Sequence, residues 1–383
     1  MRVLMASIYF PPRLGGIESH VYYLARGLAR RGHTVELITM RTDPGSAARE
    51  EPAPGLRVTR VPSAGPNLAG WLLGGAAMIG PALARARWAD VVHAHTHQTA
   101  PAAASASWWG GKPLLLTVHS SHFLRLARHP AWRPLLAGLI SPARLILGTS
   151  DELRDVAQGL VPGVPCRAIV NGVDTDVFRP TAPVIARRGT ERILLAARRL
   201  VPKNGVEYLV RAMVHLTREF TVHLYLVGDG PLRGELEGLA RELGVAEVVS
   251  FLGPVANDQM PAYYSSADVV VMPSLVEATS VAALEAMACG VPVAASRVGG
   301  LPEIVSEENG ILFAAGDPEN LAQKVLELLV TPDLARRGER GREIVIERWS
   351  LERLVDRHEE FYRLLRTGLR GKHLAQALAQ EEA

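Results

Sequence analysis

The chain has 383 residues, of which 48% are hydrophobic and 21% charged. These are the proportions of an ordinary globular protein of two or three domains, and they exclude wholesale disorder, collagen and coiled coil. The net charge of +3 hides an asymmetry: residues 1–182 carry 19 Lys and Arg against 11 Asp and Glu, and the remainder 23 against 28. A basic front half predicts contact with something anionic, such as a phosphorylated substrate, a lipid head-group surface or nucleic acid.

From the N-terminus, apolar β-branched runs predict strands at Arg2–Ile8, Thr34–Met40, Arg57–Val61, Asp90–His93, Pro113–His119, Arg144–Thr149 and Arg167–Val170. Helical patterns such as Ile17–Arg31 and Asp151–Leu160 lie between them. Continuous apolar strands separated by helices imply a parallel sheet covered on both faces. Asn171–Gly189 holds turn residues and two prolines without a clear period, and reads as a linker. A second series of strands follows at Arg192–Ala197, Thr221–Val227, Val248–Leu252, Asp268–Met272, Pro292–Ala295 and Gly310–Phe313. Helices are expected at about Val206–Arg218, Pro231–Leu243, Asp258–Ser265, Ser280–Cys289 and Pro318–Val330, then at Ala335–Arg348 and Leu351–Leu369. The expected organisation is an N-terminal Rossmann-like domain over 1–182 and a C-terminal one over 183–350. A helix at about 351–370 would pack back on the first domain, and 371–383 would form a polar, frayed tail. Two doubly wound α/β domains would face one central cleft, with ligands beyond the carboxyl ends of the strands.

Cys166 and Cys289 form no CxxC motif and no disulfide framework, which suits a reducing cytoplasm. Met1 leads directly into a strand-like run, without the separate regions of a signal peptide. The longest uncharged stretch, Val61–Ala84, contains Pro62, Pro66, Pro81 and five glycines and makes a poor transmembrane helix.

Two segments carry chemistry. The first βα loop, YFPPRLGGIE at 9–18, places Gly15 and Gly16 before a helix, where backbone N–H groups can approach a phosphate or a sugar. It is not a GxGxxG fingerprint. The second, PSLVEATSVAALEAMACGVPVAASRVGGLPE at 273–303, puts Glu277 in a loop and Glu285 eight residues later in a short apolar helix. A carboxylate among Ala282, Ala283, Leu284, Ala286 and Met287 is costly unless it is paired or near a boundary. Two carboxylates there could bind hydroxyls, act as acid and base, or hold a metal. The helix start at Thr279–Val281 offers free N–H groups to a diphosphate or a sugar.

This segment resembles the E-x7-E signature of the retaining nucleotide-sugar glycosyltransferases of family 4, which have the two-Rossmann GT-B fold. Further pieces match in order: GGIE at 15–18, DVVHAH at 90–95, TVH at 117–119, NGVDTDVF at 171–178, RLVPKNG at 199–205, VGDGP at 227–231, FLG at 251–253 and GGLPE at 299–303. The resemblance covers nearly the whole chain and implies roles by position. Glu285 would bind the ribose hydroxyls, and Glu277 would contact the donor sugar. Backbone N–H groups of Ala278, Thr279, Ser280 and Val281 would complete the pocket. Gly15 and Gly16 would approach the diphosphate, and Gly253 and Val255 would face the base. His119 would lie by the donor sugar and the acceptor.

Arg199 matches the family's diphosphate arginine. The family's lysine falls five residues later, where this chain has Asn204, with Lys203 one position earlier. Either Lys203 reaches the site through a different bend of the loop, or Asn204 supplies a neutral hydrogen bond. The catalytic set implied is Arg199, Glu277 and His119. The reaction implied is transfer of a sugar from a UDP- or GDP-linked donor to a hydroxyl of a glycan, lipid or small-molecule acceptor with retention, in glycan, glycolipid or cell-envelope polysaccharide synthesis.

His93, His95 and His97 alternate, but the sequence organises no ligand set around them, and no metal is expected. No GxSxG elbow, DxD motif or P-loop occurs. Their absence fits metal-independent transfer with no tightly bound cofactor, the diphosphate being held on the net-acidic back half by local cations and dipoles. The segment His122–Leu147 mixes apolar residues with Arg125, Arg128, Arg133 and Arg144, and five tryptophans lie in the front half. These features suggest a cytoplasmic enzyme touching the inner face of an anionic membrane and meeting a lipid acceptor there. Alternative readings are a GT-B nucleotide-sugar epimerase or a non-catalytic sugar-nucleotide-binding protein. Nucleic acid is disfavoured because no basic cluster with interleaved aromatics occurs.

Overall fold

The computed structural model describes residues 1–12, 16–43, 45–63, 65, 68–119 and 121–381, and Gly15 lies outside them. The chain divides into two compact units, Met1–Gly172 with Leu351–Ala383, and Val173–Ser350.

The first unit contains β1 (Arg2–Ser7), α1 (Gly16–Arg30), β2 (Thr34–Met40), β3 (Arg49–Ala53), β4 (Leu56–Val61), α2 (Leu68–Arg85) and β5 (Val91–His95). It continues with α3 (Ala100–Gly110), β6 (Leu114–Val118), α4 (Ser121–Arg128), α5 (Arg133–Ile140), β7 (Leu145–Gly148), α6 (Asp151–Leu160) and β8 (Cys166–Ala168). Its sheet order is β3-β4-β2-β1-β5-β6-β7-β8. All pairings are parallel except the antiparallel β3–β4 edge. β5, β6 and β7 are buried at every position, because helices cover both faces. The sequence reading missed β3. Its residues REEPA are polar and include a proline, which an edge strand tolerates because one side of its backbone faces water. None of the described helices is long and apolar enough to cross a membrane.

The second unit contains β9 (Arg192–Ala197), α7 (Val206–Glu219), β10 (Val222–Val227), α8 (Arg233–Glu242), β11 (Val249–Gly253), α9 (Met260–Tyr264), β12 (Val269–Met272) and α10 (Val281–Ala288). Then follow β13 (Val293–Ser296), α11 (Leu301–Ile304), β14 (Gly310–Phe313), α12 (Pro318–Leu329) and α13 (Leu334–Arg348). Its all-parallel sheet runs β11-β10-β9-β12-β13-β14. The strand order reverses between β9 and β12, whose carboxyl ends form the switch point at which α/β sheets bind ligands.

The change of unit falls after Gly172 and not after residue 182. Val173 donates its N–H to the carbonyl of Trp349 at 2.9 Å, and Arg342 donates to the carbonyl of Phe178 at 3.2 Å. Phe178 is fully buried beside Tyr264. Residues 173–178 therefore belong with the second unit.

The chain ends in α14 (Leu351–Arg366) and α15 (Gly371–Glu381), both in the first unit. Leu351, Leu354, Val355, Phe361 and Tyr362 of α14 join the core made by β1, β2 and α1. Arg31 pairs with Asp356 and Glu359, and His33 with Glu359 at 2.6 Å. The expected frayed tail is instead helix α15, which buries Leu374 and Leu378 in that core. Two leucines four apart on a polar helix suffice to dock it. With this return, the first unit carries 24 Lys and Arg against 15 Asp and Glu, and the second 18 against 24.

Candidate active site

In the second unit, β9 ends at Ala197 and β12 at Met272, so the residues that follow both strands meet at the switch point. Arg198 is the centre of this meeting. It donates from Nη2 to Glu277 Oε2 at 2.5 Å, to Ser274 Oγ at 2.5 Å and to Asn204 Oδ1 at 3.2 Å. From Nη1 it donates to Ser280 Oγ at 3.4 Å. Ser274 in turn donates to Glu277 at 3.3 Å. The Arg198 and Glu277 side chains are only 9% and 13% exposed. A buried pair with this many further hydrogen bonds is held in one geometry, because losing either partner strands a charge.

Glycines let the backbone close around this network. Gly299 adopts φ +51°, and a Cβ there would collide with the carbonyl oxygen of Glu277. The neighbouring Gly300 donates its N–H to the carbonyl of Ala278 at 3.0 Å. The GGLPE motif thus backs the Glu277 loop. Gly228, at φ +124°, lies against the carbonyl of Arg198 and donates to the carbonyl of Gly253 at 2.8 Å. The VGDGP and FLG motifs thereby flank the arginine.

Ser280 caps α10, its Oγ accepting from the Ala283 N–H at 3.3 Å. The cap starts the helix beside Glu277, so the open N–H groups at its first turn sit next to the Arg198 network. Val281 is half-buried and Ala278 is buried. Glu285, one turn further on, is 7% exposed and accepts from Tyr264 Oη at 3.0 Å. Burial outweighs that hydrogen bond and raises its carboxyl from 4.5 to about 8. Burial likewise pushes the Cys289 thiol up to about 12.

Arg199 is exposed, and its carbonyl accepts from Asn204 Nδ2 at 2.7 Å. Asn204 is buried and bridges Arg199 to Arg198, so its amide is already engaged within the chain. Lys203 is exposed in a 3-10 turn, and its carbonyl accepts from the Leu275 N–H at 2.8 Å. Counting five residues from Arg198 lands on Lys203, so the apparent departure from the family spacing vanishes when Arg198 is taken as the arginine. The tandem Arg198–Arg199 hid this: consecutive residues leaving a strand point to opposite sides, and only packing shows which points in. Arg198, Ser274 and Tyr264 were missed by the sequence reading. Gly253 ends β11, buried at φ +77°, and Val255 follows it, half-buried.

In the first unit, Gly16 opens α1 and is exposed. His119 follows β6 and is 8% exposed. His95 Nδ1 lies 3.1 Å from His119 Nε2, and the ring of His20 from α1 stands edge-on to His119 at 4.5 Å between centroids. His93 is bonded at both nitrogens, to Tyr362 Oη and Thr117 Oγ1, each at 2.8 Å. His97 leaves the strand face and stacks on His122. Burial depresses this group below the usual imidazole range, His20 and His97 to about 4 and His358 to about 3.

The family model described as "Glycosyl transferases group 1" matches residues 191–331, and "Glycosyltransferase Family 4" matches 14–177. A GDP-mannose-dependent alpha-(1-6)-phosphatidylinositol monomannoside mannosyltransferase of Mycobacterium tuberculosis is 30% identical, over 94% of this chain and 98% of its own. The chain is a family 4 glycosyltransferase. An uncharacterized glycosyltransferase of Methanocaldococcus jannaschii is 31% identical, over 86% of this chain and 89% of its own. Among solved structures, a sucrose-phosphate synthase from Thermosynechococcus elongatus covers 96% of this chain and all of its own, with 26% identity and a TM-score of 0.84. The fold of this glycosyltransferase is GT-B, with two Rossmann-like parallel-sheet units.

Proposed function

We propose that this glycosyltransferase moves a sugar from a UDP- or GDP-linked donor to an acceptor hydroxyl with retention of anomeric configuration. The observation that carries the reading is the Arg198–Glu277–Ser274 network at the head of α10, with Glu285 one turn beyond. Glu285 takes the ribose hydroxyls, Glu277 the donor sugar, and the N–H groups of residues 278–281 the phosphate and sugar oxygens. Arg198 takes the diphosphate role expected of Arg199, with Lys203 as the second cation. Gly16 and His119 act from the first unit, on the diphosphate and on the sugar and acceptor respectively.

In the reaction the anomeric carbon–oxygen bond to the diphosphate breaks and the acceptor oxygen attacks the same face. The acceptor proton passes to the departing diphosphate oxygen, leaving a glycoside and a nucleoside diphosphate. Charge growing on that oxygen is met by Arg198, Lys203 and the α10 N-terminus, with no step requiring a metal. A preorganised guanidinium suits this because its orientation is fixed before charge develops.

The acceptor is read as a glycan or a lipid-linked sugar at the cytoplasmic face of a membrane, in glycolipid or envelope polysaccharide synthesis. The relative named for phosphatidylinositol monomannoside supports this, as do the excess of cations in the first unit and the exposed Trp108 and Trp109. Co-sedimentation with anionic vesicles, absent with neutral ones, is the expected result. The test of the central reading is a donor screen by thermal shift and product release on wild type and Glu285→Ala. Sugar nucleotides should stabilise wild type and not the variant; if none binds wild type, the reading fails.

A further inference from the structure

We propose that the first unit holds a divalent transition-metal site of the zinc class, ligated by His20, His95 and His119. One ring nitrogen from each of the three lies within 4.8 Å of the others. The ligands come from three separate elements: α1, the last residue of β5, and the residue after β6. Tetrahedral coordination with bonds of about 2.0–2.1 Å places ligand nitrogens about 3.3 Å apart. His95 Nδ1 and His119 Nε2 are already 3.1 Å apart, so His20 alone must close in.

Unmet hydrogen bonds point to a ligand. His20 is 1% exposed, yet neither of its ring nitrogens has a partner. Asn171 stands beside it as a weak hydrogen-bonding neighbour, and the Asn171 Oδ1 has no partner of normal geometry. Buried polar atoms are satisfied in folded proteins by protein, water or an ion, and imidazole lone pairs converging on one point suit an ion.

The neighbouring histidines lie outside the set. His93 is satisfied at both nitrogens, and His358, held through Nδ1 by the carbonyl of Leu354 at 2.7 Å and unpartnered at Nε2, is not among the three whose nitrogens converge. The ligand set is therefore not the alternating run at 93, 95 and 97. Three ring nitrogens leave a fourth position for water on the slightly exposed side of His119. The site pins α1 to the centre of the sheet, and it shares His119 with the sugar transfer proposed above.

The test is metal uptake by full-length protein stripped with a chelator and dialysed. Titration with Zn2+ should give one equivalent per chain, and Co2+ should give visible d–d absorption. His20→Ala and His95→Ala should each weaken uptake at least tenfold, while the exposed-histidine variant His129→Ala should leave it unchanged. Folded His20→Cys should restore uptake and add a near-ultraviolet sulfur-to-cobalt band, which only direct ligation produces. X-ray absorption at the zinc edge of wild type, showing about three imidazoles, is independent of any variant. Less than a tenth of an equivalent bound, uptake unchanged in His20→Ala, a folded His20→Cys without the band, or adventitious binding at exposed histidines would each overturn the site.

Discussion

Glu285 offers a direct measurement of what burial does in this fold. Its carboxyl is raised from 4.5 to about 8, so the folded second unit keeps the proton that the unfolded chain loses. For a raised carboxyl, the neutral form is the stabilised one. Stability is therefore full below pH 4.5 and falls as pH rises toward 8. Between about pH 6 and pH 8 the unfolded carboxyl is ionised and the folded one is not. Each pH unit then removes about 1.4 kcal/mol, or about 2–3 kcal/mol across the window. For a unit of about 180 residues that is roughly 5–10 °C in melting temperature. Neighbouring groups stay out of the window: Tyr264 is held well above 10 by burial and by Glu285, and Cys289 is pushed up to about 12. Calorimetry of wild type and Glu285→Gln across this range isolates the effect, since the amide keeps the shape and cannot ionise. The wild-type transition of the second unit should drop relative to the variant as pH rises. Parallel profiles would refute the placement of a neutral carboxyl at this position.

Other expectations follow from the same geometry. Arg198→Lys should lower kcat/KM by about 10²–10³, because a point charge cannot reproduce the fork to Glu277 and Ser274, whereas Arg199→Ala should stay within a few-fold; steady-state kinetics distinguish them. Gly299→Ala should cut kcat/KM more than tenfold, with the far-ultraviolet spectrum kept, because a Cβ forces the Glu277 loop away from the arginine. Leu378→Ala should destabilise the first unit by about 2–5 kcal/mol, read by denaturant titration; a neutral effect would show that α15 is not docked.

Much of this protein is legible in its sequence because parallel α/β sheets write themselves plainly. A strand buried on both faces must be a continuous apolar run, as in LLLTV at 114–118 and VVVM at 269–272. The glycine and glutamate motifs are legible for a related reason: only certain residues fit where backbone closes on backbone, as Gly299 does behind Glu277. Edge strand β3 and helix α15 were not legible. Each is held by one exposed ladder or by two leucines, too little pattern to stand out from polar loops.

The sequence alone determined the family, the two-sheet plan and the pair Glu277 and Glu285. Only the tertiary structure decided which of two adjacent arginines turns inward, because side-chain direction at a strand end depends on what waits on each side. It also decided that His20, His95 and His119, spread over a hundred residues, share one point. Such convergence comes from chain crossings, which local spacing does not encode.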